Sequence, residues 1–252
     1  MPKQCLATVS KNIELADNIF CLLLSADDLI SCAVPGQFVH IRCGDSNLLR
    51  RPISICDARD DLLTVIVETR GEGTKWLAGR RAGDRLDIIG PLGRGFDLSG
   101  KNIILVGGGI GVPPLLFTAR AHAGQTTAIL GFRNKSGVIL REEFENACHT
   151  VLLTTDDGSC GAHGTVTLPL EKLLSAGGYD GVLACGPRAM LKATAMLCAL
   201  YNVPCQVSME ERMGCGVGAC LVCACKTQKD GKEEMRHVCK DGPVFRASEV
   251  VW

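Results

Sequence analysis

The 252-residue chain predicts an α/β plus β protein in three parts: an N-terminal antiparallel β-sandwich or barrel, a parallel α/β domain, and a small cysteine-rich C-terminal piece. Three observations lead there. Short β-type runs separated by turn signals fill the first part, and buried strands alternate with helical patterns from Lys101 onward. Beyond about residue 206 the texture turns rich in glycine and cysteine. The expected domains are 1–98, 99–206 and 207–252.

In the first part, Leu6–Val9, Ile19–Leu24, Phe38–Arg42, Leu62–Glu68 and Arg85–Ile89 read as strands, broken at Pro35-Gly36, Asp60-Asp61 and Gly83-Asp84. Short strands at this spacing build a sandwich or barrel. A helical turn follows Thr74, through Trp76 and Leu77. Arg51, Pro52, Ile53 and Ser54 form a segment with two readings. Proline presets turns, so an Arg-Pro pair is commonly structural. Arg51 also suits a phosphate or an electron-rich ring, and Ser54 suits the polar edge of one. Gly73 and Thr74 offer backbone and hydroxyl donors at a helix start.

In the second part, Ile103–Val106, Ala128–Phe132, Val151–Thr154 and Val182–Ala184 read as strands, with helices at Pro113–Ala123, Leu168–Ser175 and Arg188–Tyr201. That alternation predicts a parallel sheet covered on both faces. Gly107, Gly108, Gly109 and Gly111, with Ile110 among them, follow the first strand directly. Glycines there let a backbone approach a pyrophosphate at a helix N-terminus. The order departs from G-x-G-x-x-G, and such a turn also serves plain packing. Cys185, Gly186 and Pro187 fall beyond a strand's carboxyl end, where parallel sheets bind ligands. Arg133 and Lys135 follow another strand where a 2′-phosphate can be met, so these residues leave NAD and NADP both open. His163 reads as a solvated loop histidine.

The third part holds the most specific signal. Cys215, Cys220 and Cys223 have the spacing C-x4-C-x2-C, and Cys239 follows at a distance. Plant-type two-iron, two-sulfur clusters use this pattern, with Gly216 and Gly218 letting the loop wrap tightly. Zinc also takes four cysteines, but its sites show paired C-x2-C knuckles, and here only one pair has that spacing. Cys225 breaks the pattern and is left out of the ligand set. A hairpin is expected at Asp230-Gly231. The segment is too short for a core of its own, so a bound group would explain its stability.

Composition excludes several classes. Lysine plus arginine equals aspartate plus glutamate, at 27 each, which gives no electrostatic reason to expect nucleic acid or an anionic membrane. The longest apolar run, Ile103–Phe117, is shorter than the roughly 20 residues of a spanning helix and full of breakers. The expectation is a soluble, cytoplasmic protein. The ten cysteines from Cys5 to Cys205 among the total of fifteen read as small buried hydrophobes. No catalytic acid–base residue or triad is assigned.

Val34 to Phe38, Arg51 to Ser54, Gly107 to Gly111 and Cys185 to Pro187, in this order, resemble signatures of the ferredoxin reductase family of flavoproteins. With Glu210 to Cys215 leading into the cysteine motif, and a tail running from Cys239 to Trp252, the chain resembles the electron-transfer subunits of type B dihydroorotate dehydrogenases. The resemblance covers nearly the whole chain. It implies an antiparallel barrel that binds FAD through Arg51, Pro52, Ile53, Ser54, Val67, Glu68, Thr69, Gly73 and Thr74. It implies NAD beside Gly108, Gly109, Ile110, Gly111, Cys185 and Gly186, and a 2Fe-2S cluster on Cys215, Cys220, Cys223 and Cys239. The implied partner is an FMN-containing dihydroorotate dehydrogenase catalytic subunit, two of each chain, in pyrimidine synthesis. The alternative is a related FAD/2Fe-2S NAD(P)H reductase serving ferredoxin, sulfide or sulfite metabolism.

Overall fold

The computed structural model describes residues 2–252. Its first part consists of β1 (Lys3–Ala16), β2 (Ile19–Ser25), a short helix α1 (Asp27–Ile30), β3 (Phe38–Ile41), β4 (Arg51–Arg59), β5 (Leu62–Glu68), α2 (Glu72–Ala78) and β6 (Arg85–Leu92). The six strands close into an antiparallel barrel in the order β1-β2-β5-β4-β3-β6. Alternation along each strand drives this closure: Ala7, Leu22, Leu24, Ile41, Ile55, Leu63, Val65, Leu86 and Ile88 all fill one core, as period-2 strands with one buried face require. Closure also leaves no long free edge to pair with another chain.

One strand departs from the sequence reading. Arg51-Pro52, read there as a turn, opens β4. Residues Arg51–Ser54 pair only with β3, opposite Ile41–Phe38, and the β4–β5 ladder begins at Ile55. Pro52 therefore sits where β4 has one free side, the position at which a missing N–H costs no ladder bond. The end of β5 pairs instead with β2, Ile66 opposite Cys21 and Glu68 opposite Ile19. Since β4 and β5 splay here, the barrel opens into a cleft at this point.

The second part follows as β7 (Asn102–Gly108), α3 (Pro113–Ala121), β8 (Gln125–Phe132), α4 (Arg141–Ala147), β9 (Thr150–Thr155), β10 (Ala162–His163), α5 (Thr167–Ala176), β11 (Gly181–Cys185), α6 (Arg188–Leu200) and β12 (Cys205–Ser208). Strands β7, β8, β9, β10, β11 and β12 run parallel. Their middle residues, Ile104, Val106, Ile129, Val182 and Ala184 among them, are buried between the helix layers. His163, expected in a loop, belongs to the two-residue β10 and is exposed. α4 was not foreseen, because it buries a single apolar side chain, Phe144.

The last part, β13 (Ala224–Lys229), β14 (Lys232–His237) and β15 (Val244–Arg246), contains the expected hairpin, turning at Asp230-Gly231 between β13 and β14. β15 leaves it and pairs antiparallel with β12 as the outer strand of a seven-stranded sheet. Cys223, Cys225, Val238, Cys239, Phe245 and Val250 share a core with Ile104, Val182 and Leu191. The segment thus gains its apolar burial from the neighbouring sheet, in addition to any bound group.

Barrel and sheet are also joined by charge. Asp57 on β4 is 4% exposed, and Arg120 of α3 donates a short hydrogen bond to its Oδ2. Arg59 Nε lies 2.8 Å from the same oxygen.

Candidate functional site

The cleft where β4 and β5 part is lined by Pro52, Ile53 and Ser54 from one strand and Ile66, Val67 and Glu68 from the other. Arg70 and Thr74 close one end, and Ile110, Pro113 and Pro114 face them from the start of α3. Ser208, Met209, Glu210, Glu211 and Met213 form the remaining wall. An apolar cleft carrying a few polar groups between two domains is the usual form of a cofactor site.

Of the residues singled out from sequence, Pro52, Ile53, Ser54, Val67, Glu68, Thr74 and Ile110 meet in this cleft. Arg51 stands behind it. Its guanidinium donates to the carbonyls of Leu49 and Arg50 and passes Gly73 so closely that a Cβ there would be 2.6 Å from Nε. The Thr74 hydroxyl caps α2, accepting from Arg70 N at 2.9 Å and Gly71 N at 3.1 Å and donating to Gly71 O at 3.0 Å. Thr69 donates from Oγ1 to Asn18 at 3.0 Å, so its hydroxyl is held by the β1–β2 turn.

The two glycine motifs of the sheet pack on each other. A Cβ on Gly111 would meet Cys185 O at 2.4 Å and Gly186 Cα at 2.6 Å. One on Gly108 would meet Met190 Sδ at 2.5 Å. This explains why the glycine order departs from G-x-G-x-x-G: Gly111 is needed for the approach of one strand-end turn to its neighbour. Cys185 is buried beside them. Burial first, then the charge of Glu210, pushes its thiol up to about 12, so it stays protonated at neutral pH.

Sequence reasoning passed over Arg70, Ser208 and Met209, and used Glu210 to Met213 only as the lead-in to the cysteine motif. Burial holds the Glu210 carboxyl above its usual pKa, against the pull of Arg70. Arg70 pairs with Glu68 at 2.6 Å. A signal for Arg70 was present, since it directly precedes Gly71 at the end of β5. Nothing in its local pattern marked Glu210 as a cleft residue.

The wall continues directly into the cysteine loop. There backbone amides turn toward sulfur: Val217, Ala219 and Cys220 donate to Cys215 Sγ at 3.4, 3.2 and 3.4 Å. Cys215 N donates to Cys220 Sγ at 3.3 Å, Gly218 N to Cys239 Sγ at 3.1 Å, and Cys239 N to Cys223 Sγ at 3.4 Å. Burial works against ionisation of Cys215, yet the amides of Cys220, Val217 and Ala219 outweigh it and bring its thiol down to about 6. Gly216 and Gly218 have φ of +75° and +81°, the left-handed region that glycine enters without penalty. Amides directed at thiolates are the donor set an iron–sulfur cluster uses. Among the described residues, no group of three or more His, Cys, Asp or Glu side chains gathers as ligands of a single ion.

Cys225 is turned away, buried in β13 opposite Arg236, and burial pushes its thiol up. Of the scattered cysteines, Cys21, Cys43, Cys56, Cys185 and Cys198 are buried as expected, whereas Cys5, Cys148, Cys160 and Cys205 are partly exposed and Cys32 is exposed. No disulfide links cysteines among the described residues.

A barrel with a splayed cleft, a parallel sheet with a glycine turn, and an amide-lined cysteine loop together define a ferredoxin reductase-like electron-transfer flavoprotein fold. A family model described as the iron–sulfur cluster binding domain of dihydroorotate dehydrogenase B matches residues 210–251. The dihydroorotate dehydrogenase B (NAD(+)) electron transfer subunit of Caldanaerobacter subterraneus subsp. tengcongensis is 44% identical over 220 residues, 86% of this chain and 87% of its own. That of Bacillus pumilus is 42% identical over 259 residues, covering 98% of each chain. A solved NADH-dependent reduced ferredoxin-NADP oxidoreductase, studied for flavin-based electron bifurcation, aligns with a TM-score of 0.89 and 32% identity, over 98% of this chain and 90% of its own. The chain belongs to the family of dihydroorotate dehydrogenase B electron transfer subunits. No helix among the described residues is long and apolar enough to cross a membrane.

Proposed function

We propose that this chain carries electrons between NAD(H) and the FMN of a dihydroorotate dehydrogenase catalytic subunit, through FAD and a 2Fe-2S cluster, in cytoplasmic pyrimidine synthesis. The observation that carries this reading is continuity: the Ser208–Met213 wall of the cleft runs straight into Cys215. A flavin exchanges a hydride with nicotinamide and single electrons with an iron–sulfur cluster, which is why it belongs between them.

The residues divide that work. Ser54 presents a hydroxyl, and Pro52, Ile53 and Val67 an apolar surface, to a flavin ring in the cleft, from which they exclude water. Arg51, Glu68, Thr69, Gly73 and Thr74 support the rest of the FAD from the strand end and α2. Gly108, Gly109, Ile110, Gly111, Cys185 and Gly186 receive the nicotinamide. Cys215, Cys220, Cys223 and Cys239 ligate the cluster, and the amides of Cys220, Val217 and Ala219 favour the thiolate form of Cys215. The working domains are 1–98 for FAD, 99–206 for NAD and 207–252 for the cluster, with the 206/207 boundary falling within β12.

The catalytic subunit docks over the cysteine loop, because Val217, Leu221 and Val222 are exposed there beside an exposed Cys220; the family resemblance implies two of each chain. Val222→Glu is expected to weaken the complex in an affinity titration while NADH still bleaches the flavin. Unchanged affinity would place the interface elsewhere.

The direct test is an anaerobic spectrum with flavin, iron and sulfide counted, followed by assay with an FMN-containing catalytic subunit. One FAD, two irons and two sulfides per chain, with dihydroorotate-dependent NAD reduction, is the expected result. Colourless protein containing zinc would overturn the electron-transfer reading. Activity with ferredoxin and none with dihydroorotate would favour the second reading, which the likeness to the ferredoxin-NADP oxidoreductase supports.

A further inference from the structure

Beneath the cysteine loop lies a side chain that neither the cleft nor the four thiols account for. His40 sits on β3, opposite Pro52 of β4 and Ile89 of β6, and is 0% exposed. Neither Nδ1 nor Nε2 has a hydrogen-bond partner among the described residues. Buried polar groups are rarely left so, and each one calls for an explanation.

The loop supplies it. A Cβ on Gly216 would stand 2.6 Å from His40 Nδ1, 3.1 Å from Cγ and 3.3 Å from Cε1, so the Cys215–Gly216 backbone lies directly on the imidazole. Glycine is required at 216 twice over, by its φ of +75° and by this contact. An imidazole in either protonation state has at least one N–H to donate, and the facing Cys215–Gly216 backbone carries carbonyls that can receive it.

We propose that His40 is a positioning residue for the cysteine loop: its ring donates an N–H to the Cys215 carbonyl when the loop closes on its cluster, and so fixes that loop against β3 and β4. This rests on the assignment of Cys215, Cys220, Cys223 and Cys239 as cluster ligands. The consequence is a fixed relation between the Arg51–Ser54 edge of the cleft and the first cluster cysteine, held by one side chain that bridges barrel and loop.

The test compares wild type, His40→Leu, His40→Asn and Gly216→Ala in the flavin- and cluster-loaded chain. Three quantities are read: the EPR spectrum of the reduced cluster, its midpoint potential, and its rate of reduction after NADH has reduced the flavin. Leucine fills the ring's space without a donor, whereas asparagine places an amide near the position of Nδ1. His40→Leu is expected to shift the g-values and the potential and to slow cluster reduction about tenfold, the rate equivalent of about 1.4 kcal/mol. His40→Asn should stay near wild type, Gly216→Ala should move with leucine, and flavin reduction by NADH should be unchanged throughout.

A leucine variant that matches wild type in spectrum, potential and rate would overturn the proposal and leave the ring as packing alone. If His40→Leu fails to fold or to hold a cluster, Gly216→Ala decides, and a wild-type spectrum and potential there would overturn it. A wild-type chain without iron and sulfide overturns the ligand assignment as well, and that count is made before any variant.

Discussion

Cys239→Ser is expected to strip the chain of iron and sulfide while leaving one FAD in place. Cys239 is buried, its sulfur accepts from Gly218 N, and its own amide donates to Cys223 Sγ. Among the four proposed ligands it is the one supplied from outside the 215–223 loop, so its loss is expected to leave the cluster incomplete. NADH should still bleach the flavin of this variant, but electrons should no longer reach a catalytic subunit. Cys225→Ser is the matched control. It removes a sulfur two residues past Cys223 and should keep full iron, because Cys225 packs in the core of β13. Metal analysis and visible absorption decide the matter: iron retained in Cys239→Ser, or lost in Cys225→Ser, would redraw the ligand set.

The second large effect is expected at the joint between barrel and sheet. Asp57→Ala leaves Arg120, 22% exposed, facing a hole where a carboxylate had been. Breaking a buried pair by removing one partner costs about 3–5 kcal/mol, and the partial exposure of Arg120 points to the lower end, about 3. For a chain of this size that corresponds to a fall in Tm of about 6–12 °C. Thermal melts of the flavin-loaded protein measure it. A melt unchanged from wild type would mean that α3 is held to β4 by its apolar contacts alone.

Much of this architecture is legible in the sequence because its signals are local. Ile103–Val106 followed by glycines and Pro113-Pro114 announces strand, turn and helix within fifteen residues, and the structure forms them as β7 and α3. The hairpin at Asp230-Gly231 is similarly self-contained. What escaped depends on distant pairing. Arg51-Pro52 looks like a turn until β3 is seen to lie along one side of it and nothing along the other. β12 and β15 are too short to carry a periodicity, with 4 and 3 residues, and become strands by pairing, β12 with β11 and β15 with β12.

The site divides on the same line. Cys215, Cys220, Cys223 and Cys239 are marked by spacing, and Ser54 and Ile110 by neighbouring motifs. His40 and Glu210 carry no local mark, because what singles them out is burial against segments far away in sequence. Gly111 was read among the glycines that let a backbone approach a pyrophosphate. The structure shows that its nearest neighbour is the Cys185 carbonyl.

The position of β15 bears on how the molecule is made. A ribosome releases residues 244–246 only after β12, and until then β12 has an open side with backbone donors and acceptors exposed. Such an edge is a template for pairing with other chains. The seven-stranded sheet is therefore completed only after the cysteine segment has been synthesised and folded back. The parallel sheet and the cysteine segment are thus joined through a three-residue strand.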